Sequence, residues 1–258
     1  MAFFQARQLA EMGYDVTLYA APGSRAPAGV TLVMPEDAEP TLDGERALAL
    51  AAYDAHRRNP YLVFIDNGHT HILSAIYPRL PVINVCHDIY QTPDRCPVLV
   101  SDGQRALMTG DIGARARVIH NLVEPPSKPI LNLRPSEPPY VLFMGAFMNY
   151  KQPMLAICAA ARCGVKIVLA GRGSEVIKPI LSGWENIEVR GPVSGDERWS
   201  LLANARLLLQ LGHSEAFGLT TVEANLCGTP VVAWAAGGSL DIIQNGVNGV
   251  FCPCNRRR

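Results

Sequence analysis

The sequence predicts an α/β fold made of two successive units with mostly parallel sheets. Three observations predict it. Short apolar runs such as 82–86, 140–144 and 166–170 read as strands buried on both faces. Segments with apolar residues at helical spacing follow them, and strands alternating with helices imply parallel pairing. The alternation runs twice, on either side of a stretch, 124–139, that carries Pro125, Pro126, Pro129, Pro135, Pro138 and Pro139. Such a proline density reads as a linker, so the expected division is 1–123, linker 124–139, and 140–258.

The elements follow in order. Residues 2–12 place Phe3, Phe4, Ala6, Leu9 and Ala10 largely on one side and end at Gly13, a helix and its stop. Strands follow at 15–20 and 30–34, with a Pro-Gly turn after the first. Residues 41–58 read as a helix, with Asp43 and Glu45 near its start and Arg57 and Arg58 at its end, as the helix dipole prefers. Strands at 61–65, 82–86, 97–100 and 117–119 are separated by helices near 70–77 and 102–109. After the linker come strands at 140–144, 166–170, 187–190, 205–211, 231–234 and 250–251. Helices are expected near 152–163, 174–181, 195–203, 219–227 and 238–244.

Composition narrows the function classes. With 258 residues and 48% hydrophobic side chains the chain is long enough for two cores. Its 23 basic and 23 acidic side chains balance, which argues against a nucleic-acid partner by bulk charge. Seven cysteines follow no framework spacing, and Cys252-Pro-Cys254 is not a zinc pair of the usual spacing. All seven are read as reduced, which fits a cytoplasmic chain. No apolar run has membrane-spanning length and no leader peptide precedes Gln5. Peripheral membrane contact stays open.

The stretch 205–228 carries the chemistry. An apolar strand runs into a loop, and a helix begins near Leu219 and stops before Gly228-Thr229-Pro230. This arrangement points free helix N–H groups at the carboxyl edge of the sheet, where an anion binds. Glu215 and Glu223 flank those groups with seven residues between them, and Gly218 admits close approach to the backbone. Two plainer readings stand beside this one. Thr220-x-x-Glu223 is also a capping box, and Glu215 is also readable as a solvated loop carboxylate.

The Glu-x7-Glu spacing around Phe217-Gly218-Leu219 resembles the donor-site signature of retaining glycosyltransferases of the two-Rossmann-domain (GT-B) type, above all family 4. The resemblance implies two Rossmann-like domains and a nucleoside-diphosphate sugar as donor. It places Glu215 at the donor sugar, the backbone of Phe217, Gly218 and Leu219 at sugar and phosphate, with Thr220 completing the helix start, and Glu223 at the ribose hydroxyls. Family members commonly carry Gly-Arg after the first strand of the second half, with Lys five residues beyond the Arg, to neutralise the diphosphate. Gly145 and Lys151 match, whereas Ala146 stands at the Arg position. Arg172, in Gly171-Arg172-Gly173, is a candidate substitute cation. His87, at a strand end and followed by Asp88, falls where the family has a His near the reacting sugar, so Glu215, His87 and Lys151 form the candidate catalytic set. The acceptor is unidentified and is expected near His87 and the 66–71 loop.

No Asp-x-Asp occurs, and His69 and His71 lack a ligand-like spacing, so the expected donor site uses no metal. Gly237-Gly238-Ser239, with Asp241 in the following turn, reads as a structural turn and helix start. Relative to the resembled family, the amino-terminal domain lacks its usual first strand and the chain stops before the helix that crosses back. The expectation is a shortened chain, with a homo-oligomer or partner chain completing the amino-terminal domain left open. Two other activities also remain open: nucleotide-sugar binding with little transfer, and epimerase or hydrolase chemistry, since the fold hosts both.

Overall fold

A computed structural model describes residues 2–39, 41–90, 93, 95–126, 130, 136–181 and 183–252. The chain forms two compact units. The first comprises Met1–Val100 and Met108–Glu124, and the second Ser101–Leu107 and Pro125–Arg258. Most of the proline-rich 127–135 and the end of the chain, with Pro253, Cys254 and the three terminal arginines, lie outside the described residues. Of the six described cysteines, Cys86 and Cys227 are buried, Cys96, Cys158 and Cys163 exposed, and Cys252 half-buried. No helix among the described residues is long and apolar enough to cross a membrane.

In the first unit α1 (Ala2–Glu11) leads to β1 (Val16–Tyr19) and β2 (Val30–Val33). The helix α2 (Leu42–Arg58) starts at Thr41, whose hydroxyl accepts from the Gly44 N–H at 3.1 Å. This cap fixes one of the helix's otherwise unpaired donors. Then come β3 (Phe64–Asp66), α3 (Ile72–Ile76), β4 (Val82–Cys86) and β5 (Pro97–Leu99). Outside the intervening 101–107 segment, α5 (Ile112–Arg115) and β6 (Arg117–Val118) complete the unit. All pairings are parallel, but the strands form two sheets, β1-β2 and β3-β4-β5-β6. Ala49, Ala52, Phe64, Leu73, Leu80 and Val82 form one core of this unit, with Tyr19, Tyr53, Tyr61 and Tyr77 packed against it.

The second unit takes the short helix α4 (Asp102–Leu107) and then runs from β7 (Tyr140–Met144). A single 3-10 turn (Asn149–Lys151) precedes α6 (Pro153–Arg162), whose proline sits at the first helical position, where no N–H is needed. The unit continues with β8 (Lys166–Ala170), α7 (Ser174–Ile177), β9 (Ile187–Gly191) and α8 (Gly195–Asn204). It closes with β10 (Leu207–Gln210), α9 (Leu219–Leu226), β11 (Val231–Trp234), α10 (Ser239–Ile242) and β12 (Gly249–Cys252). All six strands lie parallel in one sheet of order β12-β11-β10-β7-β8-β9. That is the doubly wound order, in which the chain leaves the central strand first to one side and then to the other.

Several expected boundaries move. The strand expected at 61–65 is Phe64–Asp66, because the Tyr61 ring turns to pack edge-on against Tyr19 and Phe64. The helix expected at 174–181 ends at Ile177. Helix α5 and the 3-10 turn were not expected; four and three residues are too few to show a period.

Candidate functional site

The order of the second sheet fixes where to look. The strand order reverses between β7 and β10, and in such sheets ligands bind beyond the carboxyl ends of the strands at that point. The loops there are 145–152 after β7 and 211–218 after β10. They are bound together: the His213 N–H donates to the Tyr150 carbonyl at 3.3 Å, and a Cβ at Gly212 would lie 3.2 Å from the same oxygen.

Lys151 and Glu215 meet at this place. The Lys151 ammonium donates to Glu215 Oε2, and the two side chains retain only 19% and 14% exposure. The Gln210 amide donates to the same oxygen at 2.8 Å. Gln210 itself is 5% exposed at the last position of β10. Lys151 ends the 3-10 turn immediately before α6, where a cation faces the positive end of a helix. The Glu215 carboxylate answers that unfavourable placement.

The helix α9 begins at Gly218, whose φ of 102° is a left-handed value that suits glycine. No side chain caps this helix, so its first N–H groups are left for water or a ligand. Phe217 is buried and Leu219 and Thr220 lie at the surface side of the start. The capping box at Thr220 and Glu223 does not form, because the cap position is Gly218 and both residues fall inside the helix. Glu223 is 7% exposed and its Oε1 pairs with Arg198 Nη1 at 3.0 Å. Burial pushes its carboxyl above the usual range, and the Arg198 charge opposes that rise.

The Gly145 N–H, just after β7, donates to the Ala170 carbonyl at 2.9 Å, beside Gly171, which follows β8. Arg172 is exposed, and its carbonyl accepts from the Phe147 N–H at 3.0 Å. Among the described residues, contacts join Lys151, Gln210 and Glu215 and do not extend to Arg172. Gln210, Arg198 and Asp241 escaped the sequence reading as site residues. A polar residue ending an apolar run was the available signal for Gln210; nothing in the sequence singled out Arg198.

His87 follows β4 in the first unit. Its Nε2 lies 2.8 Å from Asn67 Oδ1, and the Asn67 amide donates to Gln5 Oε1 at 3.0 Å. Burial lowers the His87 pKa to about 4, so the ring is neutral near pH 7. The 66–71 loop is held from below by Glu45, whose carboxylate accepts from the His69 and Thr70 N–H groups at 3.1 Å each and from the Thr70 hydroxyl. Burial pushes the Glu45 carboxyl up, but those hydrogen bonds outweigh it and hold it below the usual range. His71 is 4% exposed, and burial lowers its pKa against the pull of Asp66, Glu45 and Asp88. No group of metal-binding side chains occurs among the described residues.

Comparison with known proteins bears on the family and the fold. Residues 128–258 match the family model described as glycosyl transferases group 1. A D-inositol 3-phosphate glycosyltransferase of Mycolicibacterium smegmatis is 33% identical over 128 residues, 45% of this chain and 30% of that protein. The chain thus spans less than a third of the length of the curated relatives it matches. Among solved structures, AviGT4, a glycosyltransferase involved in avilamycin A biosynthesis, is 27% identical with a TM-score of 0.66. That match covers 93% of this chain and 71% of AviGT4. Anabaena Alr3699/HepE in complex with UDP-glucose is 19% identical with a TM-score of 0.62, over 87% of this chain and 72% of that one, and so shares the fold. With a family model matched over half its length and a doubly wound unit carrying the site, the chain belongs to the glycosyl transferases group 1 family.

Proposed function

We propose that the chain transfers a sugar, with retention of configuration, from a nucleoside-diphosphate sugar to an acceptor hydroxyl. The donor binds beyond the carboxyl ends of β7 and β10. The observation that carries this reading is the convergence, at the switch point of a parallel sheet, of Lys151, Gln210, Glu215 and the uncapped start of α9. Alr3699/HepE, which shares the fold, was solved with UDP-glucose bound.

Each group has a task. As the bond from the sugar to the diphosphate breaks, negative charge grows on the phosphate oxygens and positive charge on the sugar ring. Lys151 and the N–H groups at the start of α9 stabilise the first, where fixed donors act most strongly. Lys151 is now paired with Glu215; a diphosphate takes over that ammonium and frees Glu215 to orient the sugar. Glu223 holds the ribose, with Arg198 paired to its carboxylate and opposing the rise that burial imposes. With Ala146 in place of a second cation at the end of β7, Lys151 carries most of the diphosphate charge and Arg172 is the candidate to share it. No metal takes part. The acceptor side falls to the first unit, at His87 and the 66–71 loop.

A thermal-shift panel of UDP-, GDP-, ADP- and dTDP-sugars tests the reading, because a ligand bound only by the folded state raises Tm. One base class is expected to stabilise the chain, equally with and without EDTA. An affinity that collapses on chelation would mean a metal-held donor. Donor consumed without any acceptor would indicate a hydrolase or epimerase, and no shift from any donor would overturn the donor site itself.

A further inference from the structure

Three consecutive residues of the donor loop are held through their backbone by two distant segments. The Glu215 carbonyl accepts from the Gly238 N–H at 2.9 Å, and the Ala216 carbonyl accepts from the Ser101 hydroxyl. Gly238 packs so tightly on Phe217 that a Cβ there would overlap the Phe217 carbonyl. Likewise a Cβ at Gly237 would overlap the Glu215 carbonyl, and one at Gly103 would overlap the Gly237 carbonyl. The three elements are therefore stacked backbone on backbone: the start of α4, then the Gly237-Gly238 turn, then the loop 215–217.

Asp241 fastens this stack. Its two carboxylate oxygens accept from the N–H groups of Asp102 at 2.7 Å and Gly103 at 2.8 Å, across nearly 140 residues of sequence. Ser101, fully buried, also accepts from the Gln104 N–H at 2.7 Å, so one hydroxyl ties α4 to the donor loop. The chain on either side of 101–107 belongs to the first unit, yet these seven residues pack within the second.

We propose that Gly103 and Asp241 are positioning residues for donor binding: the Ser101–Gly103 turn, clasped by Asp241, sets the backbone of Glu215, Ala216 and Phe217. Neither residue touches the donor. The proposal rests on the reading of 215–218 as the donor loop. A misplacement of about 1 Å at a reacting group lowers rates by about 100-fold, so a fault in this stack reaches the site although it begins in α4.

The test uses the full chain. In Asp241→Asn, amide exchange in 215–221 is expected to speed up by about tenfold, the loss of one charged hydrogen bond, with β7 and β8 unchanged. Affinity for the best-binding nucleotide sugar of the panel above falls by a similar factor, and Asp241→Glu, which keeps the carboxylate, restores most of it. Gly103→Ala gives a larger loss; if it does not fold, Ser101→Ala takes its place. Unchanged exchange in 215–221 together with unchanged donor affinity in Asp241→Asn overturns the proposal. Lys151→Met and Glu215→Gln run in parallel: if those two leave affinity intact, the donor-site reading itself is wrong, whatever Asp241 does.

Discussion

Strand β7 of the second unit is buried at all five positions and β8 at four of five, whereas no residue of β1 or β2 in the first unit is buried. The second unit has one unbroken sheet of six strands. In the first, β1 pairs only with β2 and β3 only with β4, so one edge of each is unpaired among the described residues. Unpaired strand edges leave N–H and C=O groups to water and apolar neighbours partly uncovered. The comparison teaches that the same strand–helix alternation gives a rigid platform only when the central strand is flanked on both sides. The candidate donor site stands on the platform, and the unit with the divided sheet carries His87 and the 66–71 loop.

The largest expected effect tests that contrast directly. Leu142 and Leu208 are fully buried at the centre of the six-stranded sheet, and truncating either to Ala should cost about 2–5 kcal/mol. Leu18→Ala in half-buried β1 should cost about 1 kcal/mol or less. Hydrogen exchange should show the slow amides concentrated in 140–251 and faster ones in the first unit, 1–100 and 108–124. Equal costs and uniform protection would show that the split sheet is no weaker than the continuous one.

Next in size is the ligand effect. Lys151→Ala should weaken binding of nucleoside diphosphates by about 10- to 100-fold, the range for a charged hydrogen bond partly shielded from water. Binding of the bare nucleoside should change little. Equal losses for both, measured by calorimetry, would mean that Lys151 does not meet phosphate. Glu223→Ala divides the site the other way, because it should weaken nucleoside as well as diphosphate.

These predictions draw on what was legible in the sequence and what was not. Strands β4, β7, β8 and β11 lie where their apolar runs placed them, since a buried parallel strand needs a continuous apolar run and nothing else nearby competes. Strand β3 does not, because Tyr61 leaves the strand line to share a hydrogen bond with the Tyr19 hydroxyl at 2.9 Å. In the candidate site, Glu215 and Gly218 stand out by local spacing and Lys151 by the resemblance to family 4. Their partners Gln210 and Arg198 depend on which strands and helices lie side by side. Asp241 was visible as a residue near a glycine turn, but its grip on residues 102 and 103 belongs to the tertiary fold alone.

A third test concerns pH and should affect the first unit more. His87 has a folded pKa near 4 and an ordinary value of 6.5. Between those values the unfolded chain takes up a proton that the native ring refuses, so stability falls as pH drops through that window and is fully restored above it. His71, also lowered by burial, acts in the same sense. Asp66, whose carboxyl burial pushes up, acts oppositely at the lower end. Melting followed from pH 7 to pH 5 should therefore show earlier exposure of 64–88 than of 140–210. A first unit as stable at pH 5 as at pH 7 would mean that these rings are accessible to protons in the native state.

The smallest expected effect asks whether the two units melt separately. Thr41 caps α2 with a single hydrogen bond, and such a cap is worth about 0.5–2 kcal/mol. Thr41→Ala should lower the stability of the first unit by that amount, whereas Thr41→Ser, which keeps the hydroxyl, should lower it by much less. Because α2 lies wholly within the first unit, the loss should appear in the exchange of amides in 42–86 and leave 140–251 unchanged. If the second unit loses protection by the same amount, the chain unfolds as one cooperative body. The contrast between a continuous and a divided sheet would then describe the architecture without dividing the stability.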